Sequence, residues 1–255
     1  MHRLTSDVKT RRGFLRSVAV PAVWSSSLAA HRRPNVLLIT ADDLNYDSVG
    51  CYGCSIPNIT PSIDRLAKSG LLFRHAHVTA AVCQPSRSVL MTGRYPHRNG
   101  AEGFGPIRRD VPTLQEQLSA AGYLNGILGK ETHLAPREKF CWDTYVGMEE
   151  LGQGRDPILY YRYTKDFLRK AKSSRKPFFL MANSHDPHRP FAGSEQEAKR
   201  WGRHLPFKRQ VKPDEVPCPA FLPELPDVVR EVAQYFTSVH RCDEIVGSVL
   251  RALAE

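Results

Sequence analysis

At 255 residues, with 41% hydrophobic and 9% aromatic side chains, the chain can bury the core of one ordinary domain, which excludes a disordered tail and a disulfide-stapled mini-protein. Its 19 prolines and 17 glycines follow no repeat period, which excludes coiled coil, solenoid and collagen, and no apolar stretch reaches the roughly 20 residues of a membrane span. Lys and Arg number 36 against 26 Asp and Glu, a formal net charge of +10, which suits an anionic partner: nucleic acid, an acidic membrane surface, or a sulfated or phosphorylated substrate.

The first 30 residues read as an address. Thr10-Arg11-Arg12-Gly13-Phe14-Leu15-Arg16 sets paired arginines before the apolar segment Val18 to Trp24 and the small-residue run Ser25 to Ala30. That order predicts a twin-arginine export signal with cleavage near Ser27-Leu28-Ala29, hence export machinery as a partner and a periplasmic or otherwise extracytoplasmic bacterial protein. The alternative is a plain basic N-terminus. The leader carries five basic side chains (Arg3, Lys9, Arg11, Arg12, Arg16) and one acid (Asp7), so its removal lowers the net charge from +10 to +6.

From residue 31 onward the pattern is one of strands alternating with helices. Pro34 to Thr40 is a β-branched and leucine run, predicted as a strand buried on both faces, and it leads into Asp42 and Asp43. Thr60-Pro61 opens a helix with Ile63, Leu66 and Ala67 on its apolar face, stopped by Gly70; Leu71 to Val78 is predicted as a strand. Cys83 stands ahead of a proline-started helix with Arg87 one turn on. Thr113 and Glu116 form a capping box for a helix ending at Gly122, followed by a strand from Tyr123 to Leu128. Pro157 to Lys172 reads as a basic helix, and Pro177 to Asn183 as a strand ahead of Ser184-His185-Asp186-Pro187-His188. Residues 190–226 are a proline-rich basic insertion without periodicity, and Val232, Phe236, Val239, Ile245, Val249 and Leu253 mark a long final helix. The fold class is α/β, a mostly parallel sheet with helices on both faces, and ligands in such sheets bind at the carboxyl ends of the strands. Asp42, Asp43, Lys130 and His185 all follow such ends, so they are expected to share one crevice.

Each of these residues has two readings. Cys83, at a helix start beside Arg87, is either a nucleophile with a lowered pKa or an ordinary buried thiol. Asp42 and Asp43 either hold a hard divalent cation, Ca²⁺ or Mg²⁺ in place of zinc, or form a solvated acidic turn. Lys130 and Arg87 are charge neutralisers or plain cations, and His185 and His133 are proton carriers or structural imidazoles. Cys51-Tyr52-Gly53-Cys54 could serve zinc, redox chemistry or a disulfide, but the remaining cysteines are single. Lys199, Arg200, Arg203, Lys208, Arg209 and Lys212 come without a recognition motif, so nucleic acid is not expected as a partner; a polyanionic sugar or plain solvent accounts for the same charges.

Cys83-Gln84-Pro85-Ser86-Arg87 through Thr92-Gly93, a C-x-P-S-R-x-x-x-x-T-G pattern, resembles the signature of the type I sulfatases of the alkaline phosphatase superfamily. The stretches N-V-L-L-I-T-A-D-D (35–43), T-P-S-I-D-R-L-A (60–67) and Gly122 to Lys130 repeat the resemblance, which covers Pro34 to Glu255. Pro177 to Arg189 is most similar to the N-sulfoglucosamine sulfohydrolase branch. The resemblance implies that a formylglycine-generating enzyme converts Cys83 to formylglycine before folding, and that Asp42, Asp43 and residue 83 hold a divalent cation, with Ca²⁺ favoured over Mg²⁺. It further implies catalysis by Cys83, Arg87, Lys130, His133 and His185, and substrate contacts from Lys130, His185 and Arg189. The substrate would be a sulfated glycan, cleaved as a sulfuric ester or a sulfamate. Three departures stand out. His133 lies three residues after Lys130 where the family has two, Asn125 replaces Ser or Thr, and the chain stops at Glu255. The sequence therefore reads as the N-terminal portion of a sulfatase, truncated before the late Asp-Asn metal strand and the C-terminal domain. A noncatalytic glycan-binding remnant, and a phosphodiesterase or phosphonate hydrolase of the same superfamily, are the alternatives.

Overall fold

A sheet of four parallel strands carries the site: β1 (Val36–Asp42), β2 (Leu124–Leu128), β3 (Thr144–Val146) and β4 (Phe178–Pro187), in the order β1-β4-β2-β3. The computed structural model describes residues 33–255, and the export signal expected over residues 1–30 lies outside them. The helices are α1 (Pro61–Ser69), α2 (Cys83–Thr92), α3 (Pro96–Asn99), α4 (Leu114–Ala120), α5 (Pro157–Ser174), α6 (Glu195–Trp201) and α7 (Pro226–Ala254). Among the described residues, no helix is long and apolar enough to cross a membrane.

The period-2 alternation of β4 explains the two cores. Phe178, Leu180 and Ala182 face Tyr160, Phe167 and Ala171 of α5 and Ile245 and Val249 of α7. Phe179 and Met181 face the opposite way, with Ile127 of β2, Met91 of α2, Ile107 and Phe140. Helices therefore cover both faces, as the sequence predicts for a parallel sheet. Gly126 on β2 lets Phe167 pack close, since a Cβ there would lie 2.5 Å from its ring.

Helix starts follow their local sequence, the predicted capping box among them. Thr113 and Glu116 form the reciprocal capping box of α4, and Asp156 caps α5 by accepting from Ile158 N and Leu159 N. Other elements differ. β1 is half-buried along most of its length rather than buried on both faces, because it is the edge strand of the sheet, and it runs on to Asp42. Leu71 to Val78 forms no strand: no neighbouring strand among the described residues bonds its backbone, and Leu71, Phe73 and Val78 are 79%, 64% and 68% exposed. β4 extends through His185 and Asp186 to Pro187. The insertion at 190–226 contains α6, capped by Ser194 Oγ on Glu197 N, and there Lys199 pairs with Glu195 and Arg209 with Glu215. Asn125 is fully buried on β2 and donates to Gln115 O and Cys141 O, a structural role remote from the carboxyl ends of the strands. Cys51 and Cys54 are free, half-buried thiols.

Candidate active site

Three strand ends meet as predicted, and the start of α2 joins them. At the end of β1 the backbone turns at Asp43, whose φ of 61° is left-handed, so that Asp42 is buried while the Asp43 carboxylate is 61% exposed. Past β2, Gly129 and Lys130 both take left-handed φ, 71° and 53°, and Lys130 is buried. A side chain at Gly129 would meet Asn183 O and Tyr160 Oη at 2.8 Å, so this turn requires glycine. Asn183 holds the three strand ends in register: its amide accepts from Thr40 Oγ1 at 2.7 Å and donates to Leu128 O and Gly129 O at 3.3 and 2.8 Å.

Asp42 is the hub. Lys130 Nζ forms an ion pair with its Oδ2, Arg87 Nη1 lies 3.4 Å from Oδ1, and His185 Nδ1 lies 3.5 Å from Oδ2. Burial by itself would raise the Asp42 carboxyl, but His185, Lys130 and Arg87 hold it far below the usual carboxylate range. Burial pulls the Lys130 ammonium down against the pull of Asp42. Burial also lowers His185 to about 4, against its bond to Asp42, and lowers His133 to about 4 with help from the charges of Lys130 and Arg87. The lowered pKa expected for Cys83 is not found: burial and the Asp42 charge push the thiol up, outweighing Lys130. The unmodified thiol is therefore a poor nucleophile.

Arg87 donates to Cys83 O at 3.4 Å, and its Nε and Nη2 are buried with no hydrogen-bond partner among the described residues. Two unsatisfied guanidinium N–H groups beside a buried ammonium make an anion receptor. His133 stands in the turn Glu131–His133 with Nδ1 buried and unpartnered, edge-on to Phe104. Arg189 does not join the cluster: its side chain is 56% exposed, ion-paired with Glu231 and stacked on Phe191.

One member was missed. His188 stacks on His185 with ring centroids 4.7 Å apart, and its Nε2 lies 3.8 Å from Asp43 Oδ2. Donor atoms of Asp42, Cys83 and His188 all lie within 4.8 Å of one another. The spacing H-x-x-H at 185 and 188 was the available signal. The Asp42 carboxylate and residue 83 suit a divalent cation: Asp42 Oδ2 is buried with no hydrogen-bond donor among the described residues, facing the Lys130 ammonium and His185 Nδ1, while Asp43 stands at the rim outside the converging donors. A hard cation of this kind takes further oxygens from water or substrate.

The Sulfatase family model matches residues 34–255. An ulvan-active sulfatase of Formosa agariphila is 31% identical over 232 residues, covering 90% of this chain and 43% of that protein. The N-sulphoglucosamine sulphohydrolase of Homo sapiens is 33% identical over 255 residues, covering 89% and 48%. The crystal structure of Ps i-CgsB in complex with k-i-k-neocarrahexaose superposes with a TM-score of 0.62 at 25% identity, covering 88% of this chain and 55% of that one. The chain thus spans about half the length of the relatives it matches.

Proposed function

Because the chain belongs to the sulfatase family, we propose that it hydrolyses a sulfuric ester or sulfamate on a sulfated glycan, with residue 83 as the nucleophile after conversion to formylglycine. The observation that carries the reading is the placement of Cys83 beside the Asp42–Lys130 ion pair and the unpartnered N–H groups of Arg87. A glycan substrate is supported by the names of the relatives, which include an ulvan-active sulfatase and an N-sulphoglucosamine sulphohydrolase.

In this mechanism Arg87 and Lys130 bind the sulfuryl oxygens and balance the charge that grows on them, an electrostatic contribution worth several kcal/mol. Asp42, Asp43 and residue 83 would hold the divalent cation, Ca²⁺ before Mg²⁺, which polarises the nucleophilic oxygen when bound. His185 is neutral in the free site, with its pKa near 4. A bound sulfuryl anion raises that value, so His185 picks up a proton and delivers it to the leaving oxygen or nitrogen, with its Nδ1 facing the Asp42 carboxylate 3.5 Å away. His133, whose Nδ1 is buried and unpartnered beside the charges of Lys130 and Arg87, orients the nucleophile. The thiol's conversion falls to a formylglycine-generating enzyme, and the twin-arginine leader at residues 1–30 carries the folded product to the periplasm.

The test supplies an aryl sulfate, N-sulfoglucosamine and an aryl phosphonate to the protein with added Ca²⁺, while mass spectrometry reports the state of residue 83. Sulfate release that vanishes in Cys83→Ser is the expected result. Turnover of the phosphonate alone would assign a phosphonate hydrolase, and glycan binding without turnover of any of the three would assign a noncatalytic binder.

A further inference from the structure

We propose that the protein with residue 83 still a thiol holds a zinc ion through Cys83 Sγ, His188 Nε2 and the Asp42 carboxylate, a site distinct in chemistry from the oxygen-donor cation site of the converted form. The three donors lie within 4.8 Å of one another, and they come from three separate elements: the end of β1, the start of α2 and the segment just past β4. Around a tetrahedral zinc the ligand atoms sit roughly 3.5 Å apart, so modest side-chain movement closes the site. Sulfur, imidazole nitrogen and one carboxylate oxygen form a zinc-type set, and three protein ligands leave the fourth position to water.

His188 is prepared for this role. Its Nδ1 meets Arg189 O at 2.5 Å, so the proton sits on Nδ1 and the lone pair on Nε2, the arrangement seen at metal-binding histidines. The backbone that carries the ring is pinned from behind, where fully buried Arg155 donates to His188 O at 2.7 Å and to Arg189 O at 3.3 Å. The His188 side chain is 36% exposed, which gives the ion a way in. Asp42 faces Lys130 and His185 with Oδ2 and Arg87 with Oδ1, and since a carboxylate accepts at about four positions, one remains for the ion. Binding replaces the S–H bond of Cys83 with a S–Zn bond and releases one proton to solvent, with no change of oxidation state. Once residue 83 carries oxygen in place of sulfur, the soft donor is gone and hard cations are preferred. The chemical state of one side chain therefore selects the metal.

The experiment uses the full chain purified with Cys83 confirmed by mass as a free thiol, titrated with Co²⁺ as a spectroscopic probe and then with Zn²⁺. The expected result is one Co²⁺ per chain, with thiolate-to-cobalt charge-transfer absorption and tetrahedral d–d bands, both displaced by stoichiometric Zn²⁺. The charge-transfer band should vanish in Cys83→Ser, vanish in His188→Gln at the Co²⁺ concentration that saturates the wild-type chain because affinity falls at least about tenfold, and persist in Cys51→Ser. Circular dichroism of each variant separates loss of the site from loss of the fold. Absence of the band in the folded wild-type chain overturns the proposal, as does a band that survives Cys83→Ser or His188→Gln, or one that Cys51→Ser abolishes. None of these readouts involves sulfate release, so this result and the hydrolase assignment stand or fall separately.

Discussion

Arg241 of α7 grips Asp186 of β4 through Nε at 2.6 Å and Nη2 at 3.0 Å, and both side chains are fully buried. Arg155 binds the same carboxylate from the other side, while Arg241 Nη1 also holds Glu197 of α6 at 2.8 Å. Two arginines and two acids thus form a neutral buried quartet directly behind His185 and His188. Removing one member leaves an uncompensated charge in a dry site, which costs about 3–5 kcal/mol. Arg241→Ala should lower the unfolding free energy by that amount, seen as a lower urea midpoint at unchanged slope. A loss under about 1 kcal/mol would mean that water enters and screens the remaining acids.

Lys130 and Asp42 form the corresponding pair inside the site, 1% and 3% exposed. Lys130→Met leaves Asp42 with only the longer Arg87 contact at 3.4 Å and the His185 imidazole. Sulfate release should fall about 10²- to 10³-fold, the usual effect of deleting one charge-stabilising group. Stability should fall by about 1–3 kcal/mol, the penalty of a buried polar group left without its partner. The double variant Lys130→Met/Asp42→Asn should recover part of that stability and none of the turnover. An Asp42→Asn change that costs the same stability in the wild-type and Lys130→Met chains would show that the two side chains are not energetically coupled.

The convergence of Asp42, Lys130 and His185 was legible because strand ends in a parallel sheet point at one crevice, whatever their distance in sequence. The cover of helices on both faces was legible in the same way, from strands alternating with helices, while the assignment of alternate β4 residues to two cores was not, because the run is apolar throughout. Leu71 to Val78 was not, because an apolar run becomes a strand only where a neighbour supplies hydrogen bonds, and periodicity carries no information about neighbours. The raised pKa of Cys83 was missed for a related reason: the sequence displays Arg87 one turn away, while Asp42, 41 positions earlier in the chain, is what opposes the thiolate. The quartet of Arg155, Asp186, Glu197 and Arg241 is likewise assembled from four elements or their flanks, with no local signature.

Gly154 ties the quartet's loop to His185. Its φ is +69°, its carbonyl accepts from His185 N at 2.9 Å, and a Cβ built there would lie 3.0 Å from His185 Cβ. Gly202 has the same φ of +69° with nothing within 4 Å of its Cβ position, which makes it a matched control. Gly202→Ala should lose only the left-handed backbone penalty, about 1–2 kcal/mol. Gly154→Ala should lose more and also displace His185, so that kcat drops in this variant alone. Equal kinetics in the two variants would mean that His185 accommodates the methyl group without moving.

His185 also sets a pH dependence of stability. Its folded pKa is about 4 against an ordinary 6.5, because burial disfavours the imidazolium, and its side chain is only 14% exposed. Above pH 6.5 neither the folded nor the unfolded chain binds a proton there. Between pH 6.5 and 4 the unfolded chain binds one and the folded chain does not, so stability falls as the pH falls. The loss attributable to His185 is roughly 2 kcal/mol by pH 5 and levels off below pH 4. His133, lowered to about 4 for the same first reason, adds a loss in the same direction. Urea denaturation at pH 7.5 and pH 5 should therefore show a clear drop for the wild-type chain, a smaller one for His185→Gln and the smallest for His133→Gln/His185→Gln. If all three chains lose the same stability over that interval, neither imidazole is held neutral by the fold.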